Sequence, residues 1–356
     1  MKIIIQNISR LRKRFKQTTL ICLTVLAATG CKKDNASDNN NTTSDGSTIK
    51  FVLNDNFNFS VINGALAYVG ITDTLAKPGP YTFLAPDNNA FSLLNMPTPT
   101  KSSFDFYTKA RLTDLIRYCI LPQKISFKHE SLVQNKPLLT ATGGNVYLTR
   151  YLNGTDTVTT INGLKLTSAD NAASNGYIQV LPQVPNPETY SKVMDYLHND
   201  TTLTLFAAAL HRANLDVSLL AGKDAYTLMA PSNAAFQNSG KLGLNLGVST
   251  LDSIFKADPV KLAAFLKYHI IKDRFFEGDL YRYTVAHPDG IQTLDGSNVI
   301  IGGNPAGFHA ITVTGRGNHG IPAAIARPQS GNQTVYYANI PCGNAVIHII
   351  DRVLIK

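Results

Sequence analysis

The feature that most constrains this chain is an internal repeat. Residues 81–91 (YTFLAPDNNAF) match residues 226–236 (YTLMAPSNAAF) at seven of eleven positions. Three further pairs of segments recur in the same order: residues 62–71 with 206–215, 115–120 with 265–270, and 175–180 with 344–349. Four segments repeated in one order indicate duplication of a whole domain, because stacked solenoid repeats would recur at a much shorter period.

The two copies divide the 356-residue chain into two domains. Each copy is long enough to bury a core of its own. Between them, residues 182–187 (PQVPNP) include three prolines, which lack an amide donor and cannot continue a strand or helix. The sequence therefore predicts a short, stiff linker, with the first domain at residues 49–186 and the second at residues 187–356.

The net charge of +9 is concentrated at the N-terminus. Residues 1–30 contain six of the 33 Lys and Arg residues and none of the 24 Asp and Glu residues. The rest of the chain is therefore almost neutral and lacks the basic patch that nucleic-acid-binding domains require. We expect no nucleic acid among the partners.

Residues 1–30 are predicted to be a signal peptide that ends at a lipid-attachment site. Residues 20–28 (LICLTVLAA) are an apolar stretch of nine residues, whereas a membrane-spanning helix needs about 20. The following residues 28–31 (ATGC) resemble a bacterial lipobox, which implies cleavage before Cys31 and acylation of that cysteine. A plain signal peptide with an incidental cysteine is the alternative.

An acylated Cys31 would anchor the chain in membrane lipid. Lys32 stands where aspartate often retains lipoproteins at the inner membrane, so we expect an outer-membrane lipoprotein exposed at the cell surface. A periplasm-facing anchor is the alternative. Residues 31–48 comprise the lipidated cysteine and a tract without large apolar residues, which predicts a disordered tether.

Two cysteines remain once Cys22 is removed with the signal and Cys31 is acylated. Cys119 and Cys342 lie in different predicted domains and in apolar surroundings. Two cysteines are too few for a disulfide framework. We therefore expect two free, buried thiols.

The first repeated segment is predicted to be a strand followed by a helix in each copy. The strands are expected at residues 81–84 and 226–229, and the Ala-Pro pair after each should end the strand. Two positions recur at the corner: an N-cap at Asp87 or Ser232, and an asparagine at Asn88 or Asn233. Asparagine there is predicted to bond neighbouring backbone groups and to fix the corner.

The other segments also carry local signals. In the second copy, Asp258 is a candidate cap and Pro259 suits the first helical position. Apolar positions at helical spacing then follow: Leu262, Phe265, Leu266, His269 and Ile270. Residues 346–353 are predicted to be a buried strand, and residues 146–161 a hairpin that turns at Asn153-Gly154.

These motifs together resemble the fasciclin domain, once in each copy and over nearly all of residues 49–356. The resemblance rests on the YTFLAPDNNAF and YTLMAPSNAAF runs, a Tyr-His pair at the end of a helix, and the final strand. It implies an α+β fold of two tandem domains, each a β-sandwich-like wedge with several short flanking helices. It also implies a non-enzymatic extracellular role in adhesion or matrix binding, without a cofactor.

Six positions belong to the motifs that carry this resemblance, and they are interpreted as structural: Asn88, Asn233, Tyr118, Tyr268, His269 and His348. The first copy departs from the pattern, with Cys119 in place of the first histidine and Gln179 in place of the second. His269 has two interpretations, a recognition residue beside Tyr268 or a core histidine bonded to one backbone group. The cysteine in the first copy favours the core, because cysteine is usually buried.

No motif indicates catalysis or a metal site. The eight histidines form no His-x-x-x-His pair, and there is no Cys-x-x-Cys pair. Ser253 and Lys256 fit a Ser-x-x-Lys pattern whose companion motifs are missing. Residues 315–320 fit Gly-x-Gly-x-x-Gly without a following apolar helix, so no dinucleotide is expected.

A Gly-rich stretch at residues 302–333 distinguishes the second copy, and its composition predicts surface loops. Aromatic, histidine and arginine residues in and after it are the predicted contact residues: Phe308, His309, Arg316, His319, Arg327, Tyr336 and Tyr337. A passive insertion is the alternative.

The sequence therefore predicts a lipid-anchored, non-catalytic adhesion protein. Its partners would be membrane lipid, through Cys31, and a surface or matrix protein or polysaccharide. One alternative is an accessory glycan-capture lipoprotein that works with an outer-membrane nutrient importer, and the other is an envelope enzyme. The oligomeric state is left open.

Overall fold

A computed structural model describes residues 47–239, 248–304, 309–326 and 337–356. The predicted signal, Cys31 and nearly all of the predicted tether lie outside these residues. The described part is mixed α+β, with two domains that each contain two four-stranded sheets and flanking helices. No helix in this part is both long and apolar enough to cross a membrane.

Domain 1 places its helices before most of its strands. The described helices are α1 (Ile49–Asn54), α2 (Ser60–Val69), α3 (Asn88–Ser92), α4 (Lys101–Phe104) and α5 (Lys109–Tyr118). The described strands are β1 (Tyr81–Pro86), β2 (Ile120–Leu121), β3 (Val133–Leu139), β4 (Asn145–Asn153), β5 (Asp156–Ile161), β6 (Leu164–Lys165), β7 (Ser168–Ala173) and β8 (Gly176–Leu181). The strand orders are β2-β1-β8-β7 in one sheet and β3-β4-β5-β6 in the other.

The centre of the first sheet is a parallel pair formed by β1 and β8. Tyr81 lies opposite Gly176, and the pairing continues to Pro86 opposite Leu181. Phe83 and Leu84 of β1 are fully buried, as expected for a strand covered on both faces. The first and last strands of the domain therefore close its core.

Domain 2 repeats this order. Its described helices are α6 (Val193–Asn199), α7 (Thr204–Arg212), α8 (Leu215–Ser218), α9 (Asn233–Asn238), α10 (Leu251–Lys256), α11 (Pro259–Lys267) and α12 (Glu277–Ala286). Its described strands are β9 (Tyr226–Pro231), β10 (Ile270–Lys272), β11 (Ile291–Gln292), β12 (Asn298–Gly303), β13 (Ile311–Thr314), β14 (Ala323–Ala324), β15 (Ile340–Cys342) and β16 (Ala345–Ile350). The strand orders are β10-β9-β16-β15 and β11-β12-β13-β14, with β9 and β16 parallel.

The prediction that residues 302–333 form surface loops is wrong for much of their described part. Residues 311–314 and 323–324 are strands of the second sheet. Their buried side chains, Ile311, Val313 and Ala323, belong to the core of domain 2, as does the neighbouring Ile325. Apolar residues alternate with threonine along residues 311–314, which is a strand pattern that the surrounding glycines obscure.

Strand and turn boundaries differ from the predictions by a few residues. β1 and β9 continue through their Ala-Pro pairs, and the proline is the last paired residue of each. The last strand, β16, ends at Ile350 and not at Val353. In the hairpin of β4 and β5, Asn153 pairs with Asp156, so the turn is Gly154-Thr155. A positive φ of 64° at Gly154 suits the first position of a type II′ turn.

The start of domain 1 also lies slightly earlier than predicted. Thr48, assigned to the tether, is the N-cap of α1, and its side chain accepts from the Phe51 amide. The Ser47 carbonyl accepts a 2.9 Å bond from the Ser174 amide. These contacts incorporate the last two tether residues into the fold.

The predicted N-caps are present in both domains. The Asp87 side chain accepts from the Ala90 amide, and the Ser232 side chain accepts from the Ala235 amide. Asp258 also caps α11, with Pro259 at its first position. The last two predicted face residues of that helix, His269 and Ile270, lie beyond its end.

The two corner asparagines act over a longer range than predicted. Asn88 Oδ1 accepts a 3.0 Å bond from the Val61 amide, and its Nδ2 donates to the Phe57 carbonyl. Asn233 makes the equivalent 2.9 Å bond to the Leu205 amide. Each asparagine therefore caps the start of an earlier helix, α2 or α7, and joins it to the corner after the central strand.

The two domains meet at a buried junction. Tyr147 of β4 and Phe276, just before α12, pack with ring centroids 6.0 Å apart, together with Val346. The Arg274 guanidinium lies 3.9 Å from the Tyr147 ring centroid. Asn135 of domain 1 donates a 2.6 Å bond to the Arg274 carbonyl. Apolar, cation–π and hydrogen-bond contacts thus combine at one place.

The linker is part of this junction. Val184 is buried in the core of domain 1. Asn186 is also buried, and its Nδ2 donates a 2.8 Å bond to the Ala338 carbonyl of domain 2. The proline-rich segment therefore packs against both domains and does not hold them apart.

A glycine contact at the junction gives a test of this packing. A Cβ atom on Gly278 of α12 would lie 2.2 Å from the Gly163 carbonyl oxygen of domain 1. Gly278→Ala should lower the free energy of unfolding in urea by about 1–3 kcal/mol, because the backbones must separate. The gain in helix propensity, about 1 kcal/mol, acts in the opposite direction.

Gly222→Ala is the matched control, because the nearest atom to its added Cβ is the Leu219 carbonyl oxygen at 3.2 Å. Its stability should change far less. Equal effects of the two substitutions on the free energy of unfolding would show that the close approach at Gly163 does not contribute to stability.

Candidate functional site

His269 lies two residues beyond the end of α11 and is fully buried. Its Nε2 accepts a 2.8 Å bond from the Leu354 amide, so the ring proton is on Nδ1. Nδ1 then donates to the Phe265 carbonyl at 3.0 Å. Burial lowers the pKa of His269 to about 4. The ring is a neutral core group with two backbone bonds, one more than the core interpretation anticipated.

His348 of β16 is also fully buried. Its Nε2 donates to the Phe275 carbonyl at 2.9 Å, and its Nδ1 accepts from the Asn339 amide at 3.4 Å. Burial lowers its pKa. In domain 1, Gln179 takes the equivalent place and its amide exchanges 2.7 and 2.8 Å bonds with Asp170. Both residues are therefore structural, but His348 bonds to the backbone of Phe275 and Asn339, whereas Gln179 bonds to Asp170.

The motif tyrosines join the two sheets within each domain. The Tyr118 hydroxyl donates to the Asn145 carbonyl of β4 at 2.5 Å, and the Tyr268 hydroxyl donates to the Asn298 carbonyl of β12 at 3.1 Å. Both rings are almost completely buried. Each tyrosine lies at the end of a helix, just before a strand of the first sheet. Its hydroxyl therefore connects this position to a strand of the second sheet.

Thr82 also bonds to distant backbone groups, and the sequence analysis did not single it out. Thr82 Oγ1 donates to the Gln123 carbonyl at 2.7 Å and accepts from the Ile125 amide at 2.9 Å. Thr227 makes the same pair of bonds in domain 2. Its identity in both copies of the repeat was the available signal.

The predicted contact residue His309 is largely buried. Its Nδ1 lies 2.7 Å from Glu277 Oε2, with side-chain exposures of 12% and 9%. Asn339 Nδ2 donates to the same oxygen at 3.0 Å, and the Ile311 amide donates to Oε1 at 3.3 Å. These donors hold the pKa of Glu277 low despite its burial. His309 therefore completes an internal cluster instead of an open surface.

The other predicted contact residues are scattered. The Arg316 amide donates to the Tyr268 hydroxyl at 3.2 Å, so its backbone is part of the core motif. His319 has a positive φ of 49° at the end of a short 3₁₀ turn. Three predicted residues lie outside the described part: Phe308, Arg327 and Tyr336. Tyr337 is the one described aromatic of this set, and it borders a groove.

We call this groove the tyrosine groove. It encloses about 530 Å³ between the domains. Its aromatic lining consists of Tyr190, Tyr196 and Tyr337 from domain 2, and domain 1 contributes Arg111 and Asp114 of α5. The tyrosines are half-buried, whereas both α5 residues are exposed. The size and position suit a ligand site, since such sites favour domain interfaces.

A second cleft of about 720 Å³ lies on the junction near α12 and is lined by Glu277 and Asp279. Burial raises the pKa of Asp279 to about 6, although Arg282 lies 3.4 Å away. Both carboxylates are buried and already accept bonds from protein groups. Among the described residues, no group of three potential ligands could hold a metal ion.

The two remaining cysteines are free and buried. Burial raises the pKa of Cys119 to about 12 and also raises that of Cys342. Both thiols are consequently protonated and unreactive at neutral pH. The prediction of two free, buried thiols is confirmed.

Comparison with known proteins identifies the family. The sequence profile of the Fasciclin domain matches residues 57–187 and residues 201–356. The chain therefore belongs to the fasciclin domain family and contains two copies of its domain. The resemblance expected from the repeated motifs is confirmed.

The chain is also similar to several individual proteins. Over 285 residues the chain is 26% identical to transforming growth factor-beta-induced protein ig-h3 of Sus scrofa, which covers 78% of this chain and 35% of that protein. The chain thus spans about a third of that relative. It is 30% identical over 141 residues to protein sll1483 of Synechocystis, covering 39% of this chain and 73% of that protein.

A solved structure that is similar to this chain is the FAS1 domain pair of the insect cell adhesion molecule Fasciclin I. The similarity covers 83% of this chain and 97% of that one, at 16% sequence identity and a TM-score of 0.38.

The buried histidines predict that acid destabilises domain 2. Because the pKa of His269 falls from 6.5 to about 4 on folding, only the unfolded chain gains its proton between these pH values. The free energy of unfolding should thus decrease as pH falls through this window, by roughly 2 kcal/mol at pH 5 from this residue. His348 acts in the same direction.

Urea unfolding followed by circular dichroism at pH 7 and pH 5 measures this decrease. His269→Gln should show a smaller decrease than the wild type, since its amide is uncharged at both pH values. His198→Gln, at an exposed position on α6, is the control and should keep the wild-type decrease. An unchanged pH dependence in His269→Gln would contradict the assignment.

Proposed function

We propose that this protein is a non-catalytic adhesion protein held at the bacterial cell surface. The observation that carries the proposal is that both domains belong to the fasciclin family, whose usual role is adhesion. The bonds of the motif residues are consistent with it, because Tyr118, Tyr268, His269 and His348 bond to backbone groups inside the domains. These residues build the fold, and binding is left to the outer surface.

The proposal includes a lipid anchor on Cys31 in the outer membrane. The lipobox-like residues 28–31 and the absence of aspartate after Cys31 support it. The polar residues that follow would act as a tether that lets the domain pair stand away from the membrane. A protein or polysaccharide of a neighbouring surface or matrix would be the partner.

Anchoring near many copies of a ligand reduces the affinity that each contact needs. When several lipid-anchored copies engage one surface, each further contact forms at a high effective concentration. The buried junction adds to this effect, because it presents the surfaces of both domains in a fixed relation. Weak individual contacts are then sufficient for attachment.

Cys31→Ser tests the anchor. It should abolish acylation, so the protein should shift in mass and leave the detergent phase in Triton X-114 partitioning. Cys22→Ser, within the predicted signal, is the control and should be processed and partitioned like the wild type. Wild-type mass and partitioning in Cys31→Ser would refute lipidation at this residue.

Attachment of cells to matrix-coated and cell-coated surfaces tests the adhesive role itself. Cells that produce the wild-type chain should attach more than cells without it, and cells with Cys31→Ser should lose this advantage while they secrete folded protein. If deletion of the whole chain leaves attachment unchanged on every surface, the adhesive role is wrong.

A further inference from the structure

We propose that the tyrosine groove is a saccharide-binding site, in which tyrosine rings stack on sugar rings and flanking polar groups bond to sugar hydroxyls. This inference names the ligand class of the proposed adhesion protein and rests on that surface role. The argument begins with the aromatic surfaces of the groove.

Two tyrosines form a corner in the groove. The rings of Tyr190 and Tyr196 have centroids 5.9 Å apart and planes at 84°. The two rings therefore make an edge-to-face contact, and Tyr337 adds a third ring to the lining of the same groove. Aromatic rings combine a large apolar face with few rotatable bonds, so they order at low entropic cost. The C–H face of a sugar ring matches such a surface.

The orientation of this corner is fixed by neighbouring groups. The Tyr196 hydroxyl donates to Asp200 Oδ2 at 3.2 Å. Asp200 Oδ1 in turn accepts from both the amide and the hydroxyl of Thr202, at 2.8 and 2.6 Å. The Tyr190 carbonyl accepts from the Gly343 amide at 3.1 Å. The groove is therefore preorganised, which reduces the cost of binding a weakly held ligand.

The polar rim suits hydroxyl groups. Asp114 from domain 1 and Asn199 with Asp200 from domain 2 border the tyrosines. Carboxylates accept from hydroxyl donors, and an amide both donates and accepts. Arg111 contributes a positive charge beside these carboxylates. A rim of both signs favours a hydroxyl-rich neutral ligand over a strongly charged one.

The groove also explains why both domains are needed. Asp114 lies on α5 of domain 1, whereas the tyrosines belong to domain 2, and the linker residues Asn186 and Pro187 border the groove between them. A single domain supplies only part of this lining. The site consequently depends on the junction that holds the two domains together.

The first experiment uses the purified full-length chain in detergent and a printed array of bacterial, plant and animal oligosaccharides. The wild type should bind a subset of the array. Isothermal titration calorimetry with the strongest array oligosaccharide then gives a dissociation constant. A wild-type chain that binds no saccharide on the array overturns the proposal.

Two substitutions locate the site. Tyr190→Leu removes an aromatic face and keeps an apolar side chain, and Asp114→Ala removes an exposed acceptor on the other domain. Each should weaken binding at least tenfold. Tyr190→Phe should stay within about threefold of the wild type, because it keeps the ring. Asp156→Ala, at an exposed position in β5, is the control for Asp114→Ala and should bind like the wild type.

Circular dichroism establishes that each variant is folded. Should Tyr190→Leu fail to fold, Asp114→Ala decides the outcome alone, since its side chain is exposed. Saccharide binding that is unchanged in Asp114→Ala and in folded Tyr190→Leu would place the ligand elsewhere and overturn the groove assignment.

Cell attachment separates this inference from the proposed function. If the chain promotes attachment but binds no saccharide, the adhesive role stands and the saccharide site is wrong. If it binds saccharide at the groove but deletion leaves attachment unchanged, the site stands and the adhesive role is wrong.

Discussion

The buried guanidinium of Arg274 is the interaction on which the two-domain arrangement depends. A charge removed from water is stable only when protein groups replace its hydration. Here Nη1 and Nη2 donate to the Ala345 and Gly343 carbonyls at 3.0 and 2.8 Å, and the flat face lies against Tyr147. Two of these partners stand at the start of the last strand of domain 2 and the third stands in domain 1, so one side chain joins a core strand to a neighbouring domain.

Other groups at the junction extend this arrangement. The Tyr147 hydroxyl donates a 2.7 Å bond to Oε1 of Glu188, which lies just after the linker. Glu188 Oε2 also accepts from the Asn145 amide at 2.7 Å. The Tyr147 ring, which covers Arg274, is therefore held in place by the bond from its hydroxyl to Glu188. Because the tyrosine groove and the cleft beside α12 both lie between the domains, their shapes follow from this contact.

The parts of the fold that the sequence predicted are those that the two copies share. The strand–helix corner, its caps and the final strand depend on local signals. These signals recur at matched positions in the two copies, so these elements could be predicted from the sequence. The partners of Asn88 were not predicted, because Val61 lies 27 positions away and no local rule links them. The Gly-rich composition around residues 311–314 predicts loops, although the alternation within these four residues is that of a strand.

The candidate site was harder to predict from the sequence, for a related reason. Its residues occupy positions that differ between the copies: Asp114 lies in a helix of domain 1, and Tyr190 and Tyr196 precede the repeated segments of domain 2. Tyr337 alone was predicted. His309 was expected at the surface, but its pairing with Glu277 depends on a helix 32 positions earlier. Duplication therefore indicates what builds each domain, whereas the proposed saccharide site lies where two unlike surfaces meet.

The parallel pairing at the centre of each domain has a consequence for how the chain folds. Tyr81 pairs with Gly176, about 95 positions later, and Tyr226 pairs with Ala345, about 119 positions later. Contacts of such sequence separation require long loops to close before they stabilise the chain, which makes folding slow. During synthesis or export, neither sheet can gain its central pair until the last strand of that domain has emerged. Domain 1 can complete its core first, and the bonds of Arg274 to Gly343 and Ala345 can form only after most of domain 2 has emerged.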